Sequence, residues 1–249
     1  HVVLYILLLI SITAATEGSS NILDQIPRSV RQMGLSGIRS ADLLSGSRGS
    51  YEASTTLLNG KYDFTTMQAK LPMGDDFYFA GAAVSIYDRL TARAYWSQIA
   101  GNDVELTSIV DTITDADTIA YKVDDRISYS DNLAAILMQF EPIDSFFTGL
   151  TIKWIKSGSD SFQTNVAAFD LGLSFPMLFK NVSASFLFKN IALVGLDSKS
   201  GSEIAYKELR TALSVRALNR KAALYTELGV TLTEKPIYEP VAGIEWTLN

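Results

Sequence analysis

The chain has 249 residues, 27 acidic and 21 basic side chains, a net charge of −6 and a pI near 4.9. The acidic balance without a Lys/Arg cluster argues against a nucleic-acid partner, and zero Cys excludes a disulfide scaffold, a thiolate metal site and a Cys nucleophile. One His, at position 1, leaves no imidazole base inside the fold, while 47% hydrophobic residues with only 19% charged point toward a membrane.

Residues 1–15 carry no Asp, Glu, Lys or Arg, and Val2–Ile10 is a continuous apolar run. The run is too short for a membrane-spanning helix, which takes about 20 residues. With Thr13-Ala14-Ala15 behind it, it reads as a signal-peptide h-region whose basic n-region is missing. Export into an oxidising compartment without any Cys fits a bacterial envelope. Residues 16–50 contain Pro27, Gly34, Gly37, Gly46 and Gly49 and a helix-like piece near Ile22–Gln32. They are expected to form a hatch or plug segment.

From residue 51 onward the pattern changes to alternation with period two, which places successive side chains on opposite faces of a strand. Strands are expected at about 51–58, 61–71, 77–88, 90–99, 118–129, 132–141 and 149–156. Further on, Asn165, Ala167, Phe169, Leu171, Leu173 and Phe175 alternate with Thr164, Val166, Ala168, Asp170, Gly172 and Ser174. Similar alternation covers 182–189, 210–217, 223–232 and 242–248. Asn59-Gly60, Met73-Gly74-Asp75-Asp76 and Lys180-Asn181 supply turn chemistry between them. A tilted strand crosses a bilayer in about 9–11 residues, and most of these segments are that long. Their polar faces hold Ala, Gly, Ser and Thr with scattered charges, which suits a crowded lumen. Trp96, Trp154, Trp246 and Tyr87 fall near strand ends, as interfacial girdles require.

The expected fold is therefore all-β: an antiparallel up-and-down transmembrane β-barrel over residues 51–249, behind an N-terminal hatch, in the bacterial outer membrane. The competing fold is a soluble periplasmic β domain that binds lipid and keeps its apolar faces inward. Residues 100–117 interrupt the pattern with Asp103, Glu105, Asp111, Asp115 and Asp117 and no base. The spacing of Val104, Ile109 and Ile113 predicts a short helix in a long acidic loop. That spacing matches no Ca²⁺ loop, so the acids read as solvated and no metal is expected.

If the parity is right, the inward charges are Arg93, Lys153, Asp170, Lys189, Arg210, Arg216, Glu227 and Glu245. They would line the lumen either as a polar pathway or as cross-strand ion pairs, and pairing is the default because unpaired buried charge is costly. No catalytic set emerges. The many Ser residues lack a His for a triad, and Glu227 with Glu245 is too little for glycosidase chemistry. The chain is read as a non-enzyme without a cofactor.

Ile127-Ser-Tyr-Ser-Asp131 before a small-residue strand, Gly149-Leu-Thr-Ile-Lys153, and Ala168-Phe-Asp170-Leu-Gly172 stand in the order of the PorV/PorQ-type outer-membrane proteins. Ser29-Val-Arg31-Gln-Met-Gly34-Leu-Ser-Gly37, Phe188-Lys-Asn190-Ile191 and Gly243-Ile-Glu245-Trp246 resemble further segments of that family. The resemblance implies a FadL-like barrel for small hydrophobic molecules such as fatty acids, or a barrel that supports type IX secretion through components of that apparatus. Two departures stand out. Asp42-Leu-Leu-Ser-Gly-Ser occupies the place of the family's Asn-Pro-Ala segment, and ten or eleven strands are countable where the family has about fourteen. Either the sequence is a fragment lacking C-terminal strands, or this barrel is smaller. A structural or adhesion-type barrel, binding a partner through its extracellular loops, is the alternative function.

Overall fold

The computed structural model describes residues 51–54, 57–58, 60–71, 74–113, 118–159, 162–195, 207–217, 222–233 and 236–246. The expected signal peptide and hatch, residues 1–50, lie outside them. Ten strands follow in order: β1 (Tyr62–Lys70), β2 (Asp76–Tyr87), β3 (Leu90–Ile113), β4 (Thr118–Ile143) and β5 (Phe146–Ser159). The second half is β6 (Phe162–Phe179), β7 (Val182–Gly195), β8 (Glu208–Ala217), β9 (Ala222–Thr231) and β10 (Ile237–Trp246). Each strand pairs antiparallel with its sequence neighbour, giving one sheet in the order β1 to β10. The fold is all-β and up-and-down, and among the described residues β1 and β10 are its two edges.

The two faces of this sheet differ chemically. One face buries Phe77, Phe79, Tyr95, Ile99, Leu133, Ala135, Ile155 and Ala168, continuous from β2 to β6. It also buries ionic groups: Arg93, Lys153 and Lys189 are each at most 2% exposed. The other face presents Ile136, Met138, Leu150, Trp154, Leu213, Leu228 and Ile244 to the outside. Water-facing sheets show the reverse. A sheet that hides its charges and shows its leucines is curled around a polar interior.

The two ends also differ. At one end the turns are tight: β2 to β3 through Asp88-Arg89, β4 to β5 through Asp144-Ser145, and β6 to β7 through Lys180-Asn181. Arg89 and Asp144 tie two of them together at 2.6 Å. At the opposite end β3 and β4 run on. The ladder of β2 stops at Asp76–Ala100 and that of β5 at Ser159–Tyr129, so among the described residues 101–113 and 118–128 pair only with each other.

Three expectations need correction. Residues 51–58 are not a strand: the described part, Tyr51–Ser54 and Leu57–Leu58, contains a turn and lies against the buried face. The expected strands 118–129 and 132–141 are one strand, β4. The expected acidic loop with a short helix at 100–117 is strand through Ile113, while 114–117 lie outside the described residues. The register of the β3–β4 hairpin shifts at Gly101/Val104, Leu106/Thr107 and Ile109/Asp111. Each irregularity changes the facing parity, and that removes the period-two signal from the sequence.

Candidate functional site: the inner face and its buried charges

The inner face is built around a segment that threads into it. Ala53 sits over β5 and β6, where Gly149 and Gly172 are directly opposed cross-strand partners. A Cβ on either glycine would collide with the Ala53 backbone. Gly81 leaves room in the same way for the Tyr51 ring. That ring packs edge-on against Phe79 and Tyr95, with centroids 5.2 and 5.5 Å away. Polar contacts fix the segment as well. Gln139 Nε2 donates to the Glu52 carbonyl at 3.5 Å, and the Leu58 N–H donates to Thr91 Oγ1 at 3.1 Å. The Glu52 carboxylate stands 4.0 Å from Lys189 Nζ, with both side chains buried.

Beside this segment lies a three-strand ionic knot. Lys153 on β5 contacts Asp170 Oδ1 on β6 at 2.8 Å and donates to Asn190 Oδ1 on β7 at 2.8 Å. The backbone at Asn190 is left-handed, with φ 53°. The register of β6 and β7 shifts here, between Phe169–Ala192 and Leu171–Phe188. The Asn190 N–H, displaced from the ladder by this bulge, donates to Asp170 Oδ1 at 2.8 Å. Asp170 thus satisfies the bulge and neutralises Lys153 with one carboxylate.

A second cluster occupies β8 to β10. Arg210 donates to Glu227 Oε1 at 3.0 Å and to Glu239 Oε2 at 2.9 Å, and it also pairs with Glu208. Three carboxylates share one guanidinium, which has five N–H donors in a planar fork and is suited to that task. Nearby, the Tyr225 hydroxyl donates to Glu245 Oε2 at 2.7 Å.

All eight residues expected to line a lumen are on this inner face. Arg93, Lys153, Asp170, Lys189, Arg210 and Glu227 are buried, and Arg216 and Glu245 are half-buried. The structure joins Lys153 with Asp170, Arg210 with Glu227, and Glu245 with Tyr225, and it sets Lys189 against Glu52. It does not gather the eight into one centre. Five participants are absent from the expected set: Glu52, Asn190, Glu208, Tyr225 and Glu239. The parity of β8 would have pointed to Glu208, two positions before Arg210. Glu239 precedes the start of the expected last strand, and Glu52 falls in a segment read as wall. The described residues contain no group of three or more His, Asp or Glu that could hold a metal.

No family model matches the chain. No curated protein matches it either. Among solved structures, the outer-membrane expressed OmpT of Vibrio cholerae is similar, with a TM-score of 0.51 and 9% sequence identity. The match covers 77% of this chain and 63% of that chain, so this chain spans less than two thirds of its structural neighbour. At such identity the likeness concerns the fold: this chain has the fold of an outer-membrane β-barrel.

Proposed function

We propose that the chain is an outer-membrane barrel of PorV/PorQ type that passes or binds a small hydrophobic molecule, or supports type IX secretion. The observation that carries this reading is the division of the sheet's faces, with leucines and tryptophans outside and paired charges inside. In lipid that arrangement is favourable on both faces, and in water on neither. Outer-membrane lipid is then the partner of the outer face. An apolar groove of about 680 Å³ on the outer face, lined by Phe186, Leu213, Leu228 and Pro240 among others, gives a lipid acyl chain a place to lie. Fatty acids or similar amphiphiles are the ligands this reading assigns to the interior, and the segment at 51–58 is the stopper they must pass. The ionic groups act by position and charge; no bond-making step is assigned to them.

The experiment is heat-modifiability of the protein in washed outer membranes, unboiled against boiled, on a detergent gel. The expected result is a faster-migrating unboiled band in the membrane fraction. A protein found only in the soluble periplasmic fraction, without a shift, overturns the membrane reading. Single-channel conductance and fatty-acid binding come next. A barrel that is ion-tight and binds no amphiphile removes transport and leaves secretion support.

The protruding β3–β4 hairpin favours a second reading, a barrel that captures a partner beyond the membrane. Residues 101–113 and 118–128 extend past the ladders of both neighbouring strands, and the first stretch carries Asp103, Glu105 and Asp111. Shortening that hairpin tests it, and unchanged partner capture sinks it.

A further inference from the structure

We propose that the outer face carries a binding site for one lipid with a net-negative, phosphate-bearing headgroup, formed by Lys156 above the row of Trp96, Ala134 and Trp154. The proposal rests on the membrane reading above and adds to it a place on the wall and a headgroup charge.

The rows of the outer face follow from the register. Ala134 on β4 is the direct cross-strand partner of Trp96 on β3 and of Trp154 on β5, and Ala167 continues this row on β6. The next row toward the tight turns is Ala94, Ile136 and Ile152, followed by Ala92, Met138 and Leu150. All of these are apolar. The row on the other side, toward the end where β3 and β4 run on, is Gln98, Asn132, Lys156 and Asn165. Apolar thus changes to polar in a single step along four neighbouring strands. In a wall standing in lipid, such a step marks the level where hydrocarbon gives way to headgroups. Tryptophan favours that level because its ring is apolar and its N–H polar. Short turns lie on the periplasmic side of such walls and long hairpins outside, so this level belongs to the outward-facing leaflet.

The level has one distinct hollow. Ala134 sets a single methyl group between two indoles whose Cα atoms stand about 10 Å apart, two strand spacings. Trp96 and Trp154 are 40% and 44% exposed. With Asn132, Ala134, Lys156 and Asn165 they line a hollow of about 360 Å³. Its floor runs on along β4 to Ile136 and Met138, both exposed, an apolar track for an acyl chain.

The rim of the hollow carries the charge. Among strand residues whose side chains are described, two lysines stand on the outer face. Lys70 is tied to Asp76 at 3.0 Å. Lys156 is exposed and makes no ion pair among the described residues. Its partners in the row are amides, Asn132 and Asn165. Asn132 Nδ2 donates to Ser130 Oγ at 3.3 Å, and a side-chain amide has a second N–H to give. A cation without a counter-charge, flanked by amide donors and set over two indoles, matches a headgroup whose phosphate charge is uncompensated. A zwitterionic headgroup brings its own cation and gains less. A second copy of the chain docking here symmetrically would bring a second Lys156 against the first.

The three tryptophans of the chain supply the readout. Trp246, paired with Ala222 at the start of β9, stands at the opposite, tight-turn end of the wall. Trp246→Phe therefore leaves Trp96 and Trp154 to report alone. This variant is refolded into phosphatidylcholine vesicles and checked for the heat-shifted band. Lipids brominated in their acyl chains, which quench the indoles they touch, are then mixed in. Brominated phosphatidic acid is compared with brominated phosphatidylcholine at equal mole fractions. The expected result is a preference for phosphatidic acid of about fivefold, the effect of one lysine beside an anionic headgroup. Adding Lys156→Gln should abolish the preference, and Lys156→Arg should keep it. The double variant Trp96→Phe, Trp154→Phe, which reports Trp246, should show none. Equal quenching by the two lipids overturns the site, as does a preference that survives Lys156→Gln or that Trp246 shares. Soluble glycerol 3-phosphate that abolishes the preference would assign the site to a free phosphate ester and overturn the lipid. Quenching by neither lipid is a different failure: it takes the outer face out of lipid and falls on the membrane reading itself.

Discussion

Gly149 and Gly172 are opposed across β5 and β6, and the backbone of Ala53 rests on the bare patch they make. Neither strand needs a glycine for its own conformation; glycine in a strand interior costs stability. The close approach of a third chain segment accounts for both. Gly172→Val is expected to displace residues 51–54 or strain the wall, at a cost of about 1–3 kcal/mol. Urea titration of the folded band reads the loss. If the segment is a stopper, the surviving folded fraction also conducts ions where the parent does not. Unchanged stability together with unchanged conductance would show that Ala53 does not sit there.

Arg210 holds three carboxylates, the buried Glu227 and the partly exposed Glu208 and Glu239, and its removal takes the opposing charge from all three. Arg210→Met is expected to destabilise by about 3–5 kcal/mol, since breaking a buried ionic group leaves uncompensated charge. Adding Glu227→Gln to that variant should recover part of the loss. A double variant no better than the single one would mean that Glu227 is solvated and that the pairing contributes little.

The wall was legible where period two is unbroken. The Thr164 to Ser174 face and the Arg210 to Arg216 face lie inward, as their small and polar residues require. Legibility failed where bulges enter. Three register shifts in the β3–β4 hairpin make Val104, Ile109 and Ile113 look helical, though they belong to a strand. A further shift beside Asn190 hides its place in the Lys153–Asp170 knot, because it breaks the alternation that marks Lys189 as inward. Tyr51-Glu52-Ala53-Ser54 alternates apolar and polar like a strand, but only the tertiary fold reveals that three glycines make room for it. Glu239 escaped because its strand begins earlier than the apolar pattern around Ala242 suggests.

The Lys153–Asp170 pair is fully buried, with side chains 0% and 3% exposed. Lys153→Met takes the ammonium away from Asp170, which keeps the Asn190 N–H, and Asp170→Asn takes the carboxylate charge away from Lys153, which keeps the Asn190 side-chain oxygen. Because the two groups compensate each other, the double change should cost less than the sum of the two single changes. A double-mutant cycle on unfolding in lipid is expected to give a coupling of about 0.5–3 kcal/mol. Additivity within a few tenths would place the two groups in water, against the burial that defines this inner face.

Met138 on β4 points outward, is 49% exposed, and stands beside Ile136 and Phe140 on the same strand face. The medium around it decides what a charge there would do. In the hydrocarbon region of a bilayer, Met138→Arg is expected to cost about 2–4 kcal/mol. On a water-facing surface the same change stays within roughly 0.5 kcal/mol. A matched change inside the wall, Ala135→Arg, would overpack the buried cluster in either medium and so discriminates nothing. The informative comparison is Met138→Arg with Met138→Leu, refolded into lipid vesicles and titrated with urea. A large loss confined to arginine fixes the outer face in lipid. Equal stabilities would place the apolar face of this sheet against protein or water, and the barrel would then need a different cover.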